Sequence, residues 1–373
     1  MSAARDHLAA IAFAPRPAGG LVERVARDYC AARLRAIGFD VEERPFGYST
    51  FPGKWGTPIS GVIAVLLFLS AGHFGAHGNP RAALDVLVGG GAILGVCAWW
   101  LGRWGVLDFP FARASGTNLV ATRGTPHLWL VAHLDSKSQP IPIGVRATAI
   151  CGSILFWIAA TVLALAQIMG ASATFFWLPM TVLGVLAAIP VAMSVVGADS
   201  PGALDDASGV ATVLRAAELS PTRAEIGVLL TSAEELGLAR ARAWARTETP
   251  LIAINVDGID DVGDIRLIYS KQIPYPMLLP LPREQGWPPL ERLPPGLLLD
   301  GVALADVGWH VVTVSKGSWS TVTRIHTPND HVAHLAGRSI EDVASMLSRV
   351  VVAQARTLGR LRDYNIGITT GPR

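Results

Sequence analysis

Between Ala147 and Ala198 not one residue is charged. The only break is Met169-Gly170-Ala171-Ser172, which suits a turn. Each half is long enough for the helix of roughly 20 residues that a bilayer core demands. Two more uncharged stretches precede this run, from Lys54 to Arg81 and from Asp85 to Arg103. Buried core helices would be the blander account, but the long run is too uniformly apolar for a soluble core. The expectation is four membrane spans in two hairpins, near 57–75, 83–102, 148–169 and 174–196, with the lipid bilayer as partner. Composition agrees: 51% of the 373 residues are hydrophobic and 16% charged, against roughly 25% charged in a soluble domain. Such hydrophobicity excludes disorder. A net charge of +2 leaves no basic footprint, so no nucleic-acid partner is expected.

Lys54, Arg103, Arg113, Lys137 and Arg146 flank the hairpins where they join the rest of the chain, and the distal loops carry only Arg81. The positive-inside rule therefore puts the remainder in the cytoplasm, on an integral protein of a bacterial inner membrane. The three cysteines, Cys30, Cys97 and Cys151, have neither metal-like spacing nor the look of a disulfide framework. The opening segment Met1 to Gly20 lacks a basic stretch followed by an apolar one, so no secretory signal is expected.

Residues 1–56, 103–146 and 199–373 read together as one α/β domain, interrupted by the hairpins at 57–102 and 147–198. An amphipathic helix runs from Leu21 to Ile37 and is stopped by Gly38. Strands follow at Asp40 to Arg44, 117–122 and 127–132, and residues 199–373 alternate strand-like and helical patterns. Were the first three strands an antiparallel meander, both hairpins would leave from one edge of the sheet, with the active site close to the membrane surface. Residues 273–299, rich in proline and leucine, read as a surface loop.

Five segments carry chemistry. Leu128 to Ser136 is an apolar strand ending in His133-Leu134-Asp135, with a carboxylate placed to orient an imidazole. Pro201 to Val210 sets Asp205 and Asp206 before a helix; N-capping accounts for one aspartate, hardly for both. Ile226 to Gly237 runs a buried strand into Glu234-Glu235, and paired carboxylates repel unless a cation lies near. Leu251 to Gly258 is an apolar strand ending in Asp257, and Arg324 to Asp330 contains His326. Two imidazoles with several carboxylates at element ends suit zinc, and an aspartate shared by two metals is the usual two-metal hydrolytic arrangement.

In this order HLDS, GALDDASGVA, SAEELGL, INVDG and RIHTPND closely resemble the co-catalytic di-zinc peptidases of metallopeptidase family 28, the leucyl aminopeptidase type. The likeness extends to Arg16-Pro17-Ala18-Gly19 and to Leu34 through Val41, and leaves the hairpins outside it. It implies a three-layer αβα sandwich with a central mixed β-sheet, interrupted by the two transmembrane hairpins. It also implies two zinc ions, one on His133 and Asp257, the other on Glu235 and His326, with Asp205 bridging them. Glu234 would be the general base, Asp135 would orient His133, and a peptide would be the substrate of a membrane-bound aminopeptidase. Many relatives have Ser-Asp-His where this chain has Leu299-Asp300-Gly301, so the substrate-facing residues there are unassigned, and Tyr275 is only a candidate oxyanion donor. The related glutaminyl cyclases share the fold but use one zinc, and retention of both His133 and Asp257 argues for the peptidase branch. A carboxypeptidase, a deacylase, a cyclase or a non-catalytic membrane scaffold are the alternatives left by the sequence.

Overall fold

The structure, a computed structural model, describes residues 2–273, 288–294 and 299–368. Tyr275 and most of the expected 273–299 loop lie outside the described residues. Along the chain, α1 (Ala3–Ile11), α2 (Leu21–Ala36) and β1 (Asp40–Ser49) lead into a helical hairpin, α3 (Phe51–Ala76) and α4 (Pro80–Trp100), followed by the short α5 (Val106–Asp108). Next come β2 (Arg113–Arg123) and β3 (Leu128–His133), then a second hairpin, α6 (Ile143–Ile168) and α7 (Trp177–Ala192). The remainder alternates: α8 (Ser208–Leu219), β4 (Ile226–Thr231), α9 (Ala239–Ala245), β5 (Ile252–Ile259), β6 (Asp264–Tyr269), β7 (Leu290–Arg292), α10 (Asp300–Asp306), β8 (His310–Gly317), α11 (Trp319–Arg324) and α12 (Arg338–Ile368). The chain divides into two units, Met1–Gly47 with Ala114–Lys137 and Ala198–Arg373, and Tyr48–Arg113 with Ser138–Gly197.

The first unit is built on an eight-stranded mixed sheet in the order β1-β2-β4-β3-β5-β8-β6-β7. Strands β4, β3, β5 and β8 run parallel, while β2 and β6 join them antiparallel. Every residue of β3 and β4 is buried, as expected of parallel strands covered on both faces. Alternation sorts their side chains. Leu128, Leu130 and Ala132 join the core under α1, α8 and α12, whereas Trp129 and Val131 pack with Trp244 and Trp309 under α9 and α10. The three-layer αβα sandwich with a mixed sheet is thus the fold observed. At Gly227 on β4 any side chain would strike the Trp129 ring, 2.4 Å from where its Cβ would stand.

The expected meander does not form. Strand β4 stands between β2 and β3, antiparallel to one and parallel to the other. A strand such as β3, apolar in its first five residues, gains most from the middle of the sheet, with a strand on either edge and helices on both faces, and that preference overrides adjacency in sequence.

In the second unit α3 packs against α4 and α7, and α6 against α4 and α7. Two of these helices begin well before the expected spans: α3 starts at Phe51 and α6 at Ile143, where Pro52 and Pro142 preset the first turn. Four helices here are long and apolar enough to cross a membrane, and only 28%, 11%, 17% and 22% of their most apolar windows is buried. Leu66, Leu155, Val162 and Leu186 are each more than half exposed, as apolar side chains that face lipid are. Contacts between helices rely on small residues and internal hydrogen bonds. A Cβ at Gly61 would lie 2.2 Å from the Ala192 nitrogen. Trp157 Nε1 donates to the Leu87 carbonyl at 3.0 Å, and Trp177 Nε1 to Gln167 Oε1 at 2.6 Å.

Candidate metal centre

Parallel strands deliver functional groups at their carboxyl ends. His133 is the last residue of β3, level with Thr231 at the end of β4, and Glu234 and Glu235 follow that strand directly. Asp257 lies two residues inside β5 rather than at its end, where the register with β8 shifts and Gly258 has a φ of +73°. A bulge of this kind re-aims a side chain. His326 itself has a φ of +62° and Ala233, just before the glutamate pair, +57°. Such left-handed backbone at non-glycine residues is held in place only by its surroundings and gathers at functional sites.

Two groups of side chains converge, and they share one member. Donor atoms of His133, Asp205 and Asp257 lie within 4.8 Å of one another, as do those of Asp205, Glu235 and His326. Asp205 Oδ1 is 3.0 Å from His133 Nε2, and its Oδ2 is 2.9 Å from His326 Nε2. Glu235 Oε1 stands 3.2 Å from the same His326 nitrogen, and Glu234 Oε2 is 4.0 Å from His133 Nε2.

These residues fit a zinc-type ion. His133 Nδ1 is 3.0 Å from the Asp135 main-chain carbonyl. A carbonyl can only accept, so Nδ1 carries the proton and Nε2 is left to serve as ligand. Glu235 Oε1 is buried without a hydrogen-bond donor although His326 Nε2 is close. Two lone pairs turned toward each other are the arrangement of ligands around a common cation. Ligand atoms of a tetrahedral zinc lie roughly 3.3–3.6 Å apart, so the separations of 2.9–3.2 Å need to open by only a few tenths of an ångström to admit one.

The electrostatics point the same way. Burial and the neighbouring Asp205 push the Asp257 carboxyl up to about 7. Burial, helped by Glu235, Asp300 and Asp257, lifts Glu234 well above the usual carboxylate range. Asp205 is held well below it despite its burial, by the two imidazoles that face its oxygens. So many carboxylates in a dry site create a strong field for cations.

The expected role of Asp135 is divided. Its carbonyl orients His133, but its carboxylate is 3.7 Å from that ring and instead accepts from Glu234 N at 3.1 Å and Glu235 N at 3.2 Å. Asp206 caps α8 through Gly209 N, as N-capping requires, and also accepts from Gly258 N and His133 N, tying the ends of β3 and β5 together.

Sequence reading missed several supports. Arg16, fully buried, bonds the carbonyls of Leu134, Pro201 and Gly202, and so clamps the His133 loop to the Asp205 loop. Asp330 accepts from Leu204 N and Asp205 N, which holds Asp205 in place, and burial raises its carboxyl to about 7. Asp300, unassigned from sequence, is buried, bonded by Thr231 and raised by burial to about 6. Lys137, counted in sequence only as a charge flanking a span, puts Nζ 2.5 Å from Glu235 Oε2. Arg16 and Asp330 stand inside two of the quoted motifs, a signal that could have found them; Lys137 had none.

Imidazoles and carboxylates converging at the carboxyl edge of such a sheet define a class, the zinc-dependent hydrolases. The model of peptidase family M28 matches residues 187–276, the segment that holds Asp205, Glu234, Glu235 and Asp257. The family read from the five motifs is thereby borne out. Solved structures with a similar fold include an aminopeptidase from Aneurinibacillus sp. strain AM-1 (TM-score 0.52, 14% identity, 95% of this chain and 93% of that one). The zinc aminopeptidase BSAP from Bacillus subtilis is alike at TM-score 0.53 and 13% identity, over 94% of each chain. A Bacteroides thetaiotaomicron glutaminyl cyclase bound to N-acetylhistamine follows at 0.50 and 12%, over 95% and 96%. No curated protein matches the chain in sequence.

Proposed function

We propose that this chain is a membrane-bound, zinc-dependent aminopeptidase that takes residues from the free amino end of peptides. The observation that supports it best is Asp205, with one oxygen 3.0 Å from His133 and the other 2.9 Å from His326. A carboxylate so divided suits two zinc ions, one also bound by Asp257, the other by Glu235. When bound, such a pair would supply Lewis acidity to the scissile carbonyl and make a water molecule acidic near neutral pH.

The chain's own residues do the rest. Glu234, buried and of raised proton affinity, accepts the proton that the attacking water gives up and returns it to the leaving amine. Asp135 holds the backbone on which Glu234 and Glu235 sit, and the Asp135 carbonyl keeps His133 in the required tautomer. The four apolar helices cross the membrane. Lys54, Arg103, Arg113, Lys137 and Arg146 lie at the inner ends of the hairpins and favour the cytoplasmic side for them.

The test is turnover by detergent-purified protein of free-amine aminoacyl substrates, amino-blocked peptides and peptides with N-terminal glutamine, beside Glu234→Ala. Cleavage restricted to free-amine substrates, and lost in the variant, is expected. Cyclisation of N-terminal glutamine would favour a cyclase on the same fold, and cleavage of blocked substrates a deacylase or carboxypeptidase.

A further inference from the structure

The two positions that share Asp205 are not electrostatically alike. In one, Glu235 turns Oε1 toward His326, while Oε2 is 2.5 Å from the ammonium of Lys137. Both partners are shielded from water, with the Lys137 side chain 17% exposed and that of Glu235 4%, so the pairing is little screened. In the other position, Asp257 has no Lys or Arg partner among the described residues. Glu234 adds a further carboxylate there, 4.0 Å from His133 Nε2. Arg16 bonds main-chain carbonyls, and its charge bears first on Asp330, Asp135 and Asp206 rather than on Asp257 or Glu234.

We propose that Lys137 is a positioning residue that makes the two metal positions unequal: by holding the outer oxygen of Glu235 it weakens the Asp205–Glu235–His326 position, which loads last and exchanges first. This rests on the two-metal reading above. The physical cause is plain. An ammonium on one oxygen of a carboxylate draws charge from the other and repels a divalent ion a few ångströms away. At limiting metal the chain therefore holds one ion, on His133, Asp205 and Asp257, with Lys137 balancing Glu235.

The experiment is zinc uptake by the metal-stripped, full-length protein in detergent, with free zinc set by chelator buffers and bound zinc read by elemental analysis. The wild-type chain should take its second zinc at free concentrations at least about tenfold above the first. Lys137→Met should move the second step to lower free zinc by about tenfold or more and the first by less than about threefold. Lys137→Gln checks the same shift with a polar side chain, and Lys137→Arg should keep the wild-type separation. His326→Ala should delete the weak step and His133→Ala the tight one. Coincident steps in wild type, an unmoved second step in both neutral variants, or loss of the tight step in His326→Ala would overturn the role of Lys137 and leave the peptidase reading standing. A wild-type chain that takes up no zinc would overturn both.

Discussion

The carboxylate of Asp135 accepts a hydrogen bond from the backbone nitrogen of Glu234 at 3.1 Å. Its second oxygen does the same for Glu235 at 3.2 Å, so one side chain at the end of β3 carries the turn that follows β4. The orienting bond to His133 comes from the Asp135 main chain and survives any side-chain change. Asp135→Asn, which loses one of two acceptors, should lower kcat by about 10–100-fold and leave the tight zinc equivalent in place. Steady-state kinetics alongside metal analysis would check this. Loss of that zinc would show that the side chain holds the histidine after all.

Glu234 makes no direct bond to Asp205 or to His326, so its replacement need not empty the site. Glu234→Gln keeps the shape and removes the proton acceptor. A fall in kcat of about a thousandfold or more is expected at unchanged zinc content. An active Glu234→Gln enzyme would remove the general base from the mechanism.

Removing Arg16 strands the carbonyls of Ile11, Leu134, Pro201 and Gly202 in a dry interior. Arg16→Met should destabilise the fold by about 3–5 kcal/mol. Arg16→Lys should recover little of this, because one ammonium cannot serve a fork of carbonyls. Thermal unfolding of the two variants measures both effects.

Acid should weaken the packing of α1, α2 and α8 through Glu218. Burial works to raise this carboxyl, but hydrogen bonds from His7, Arg33 and Arg215 prevail and bring it from 4.5 down to about 2. Because the folded value is the lower one, the stabilisation is complete above about pH 4.5 and drains away as pH falls toward 2. A loss on the order of 2 kcal/mol is expected over that interval, and Glu218→Gln should flatten it. An unaltered acid limb in the variant would place the acid sensitivity elsewhere.

Zinc should also stabilise. A ligand that binds only the folded chain adds about 2.7 kcal/mol at a hundred times its Kd. Chelation should therefore lower the thermal midpoint and abolish turnover, and added zinc should restore both.

Much of this molecule is legible in one dimension, for local reasons. A bilayer span must satisfy its backbone within itself, so its uncharged length is written in sequence, and the four apolar helices carry their few charges, Lys54, Arg81, Asp85 and Arg146, only near their first turns. Strands β3 and β4 are buried on both faces and read as unbroken apolar runs. His133, Asp205, Glu234, Glu235, Asp257 and His326 stand at or beside strand and loop ends, within short motifs whose order reveals them.

Other features belong to tertiary structure alone. The place of β4 between β2 and β3 follows from which strands profit most from the sheet's interior, a global competition that no segment records. The bulge that aims Asp257 depends on register with β8. The division of Asp135 into an orienting carbonyl and a supporting carboxylate depends on where β4 ends. Lys137 is the clearest case, for its position in sequence marks only a charge near a span, and only folding brings its ammonium to Glu235. Sequence determined which groups this chain could offer a metal, because residue type and strand end are local. Tertiary structure decided which charges face one another, because in a dry interior that depends on distances between residues far apart in the chain.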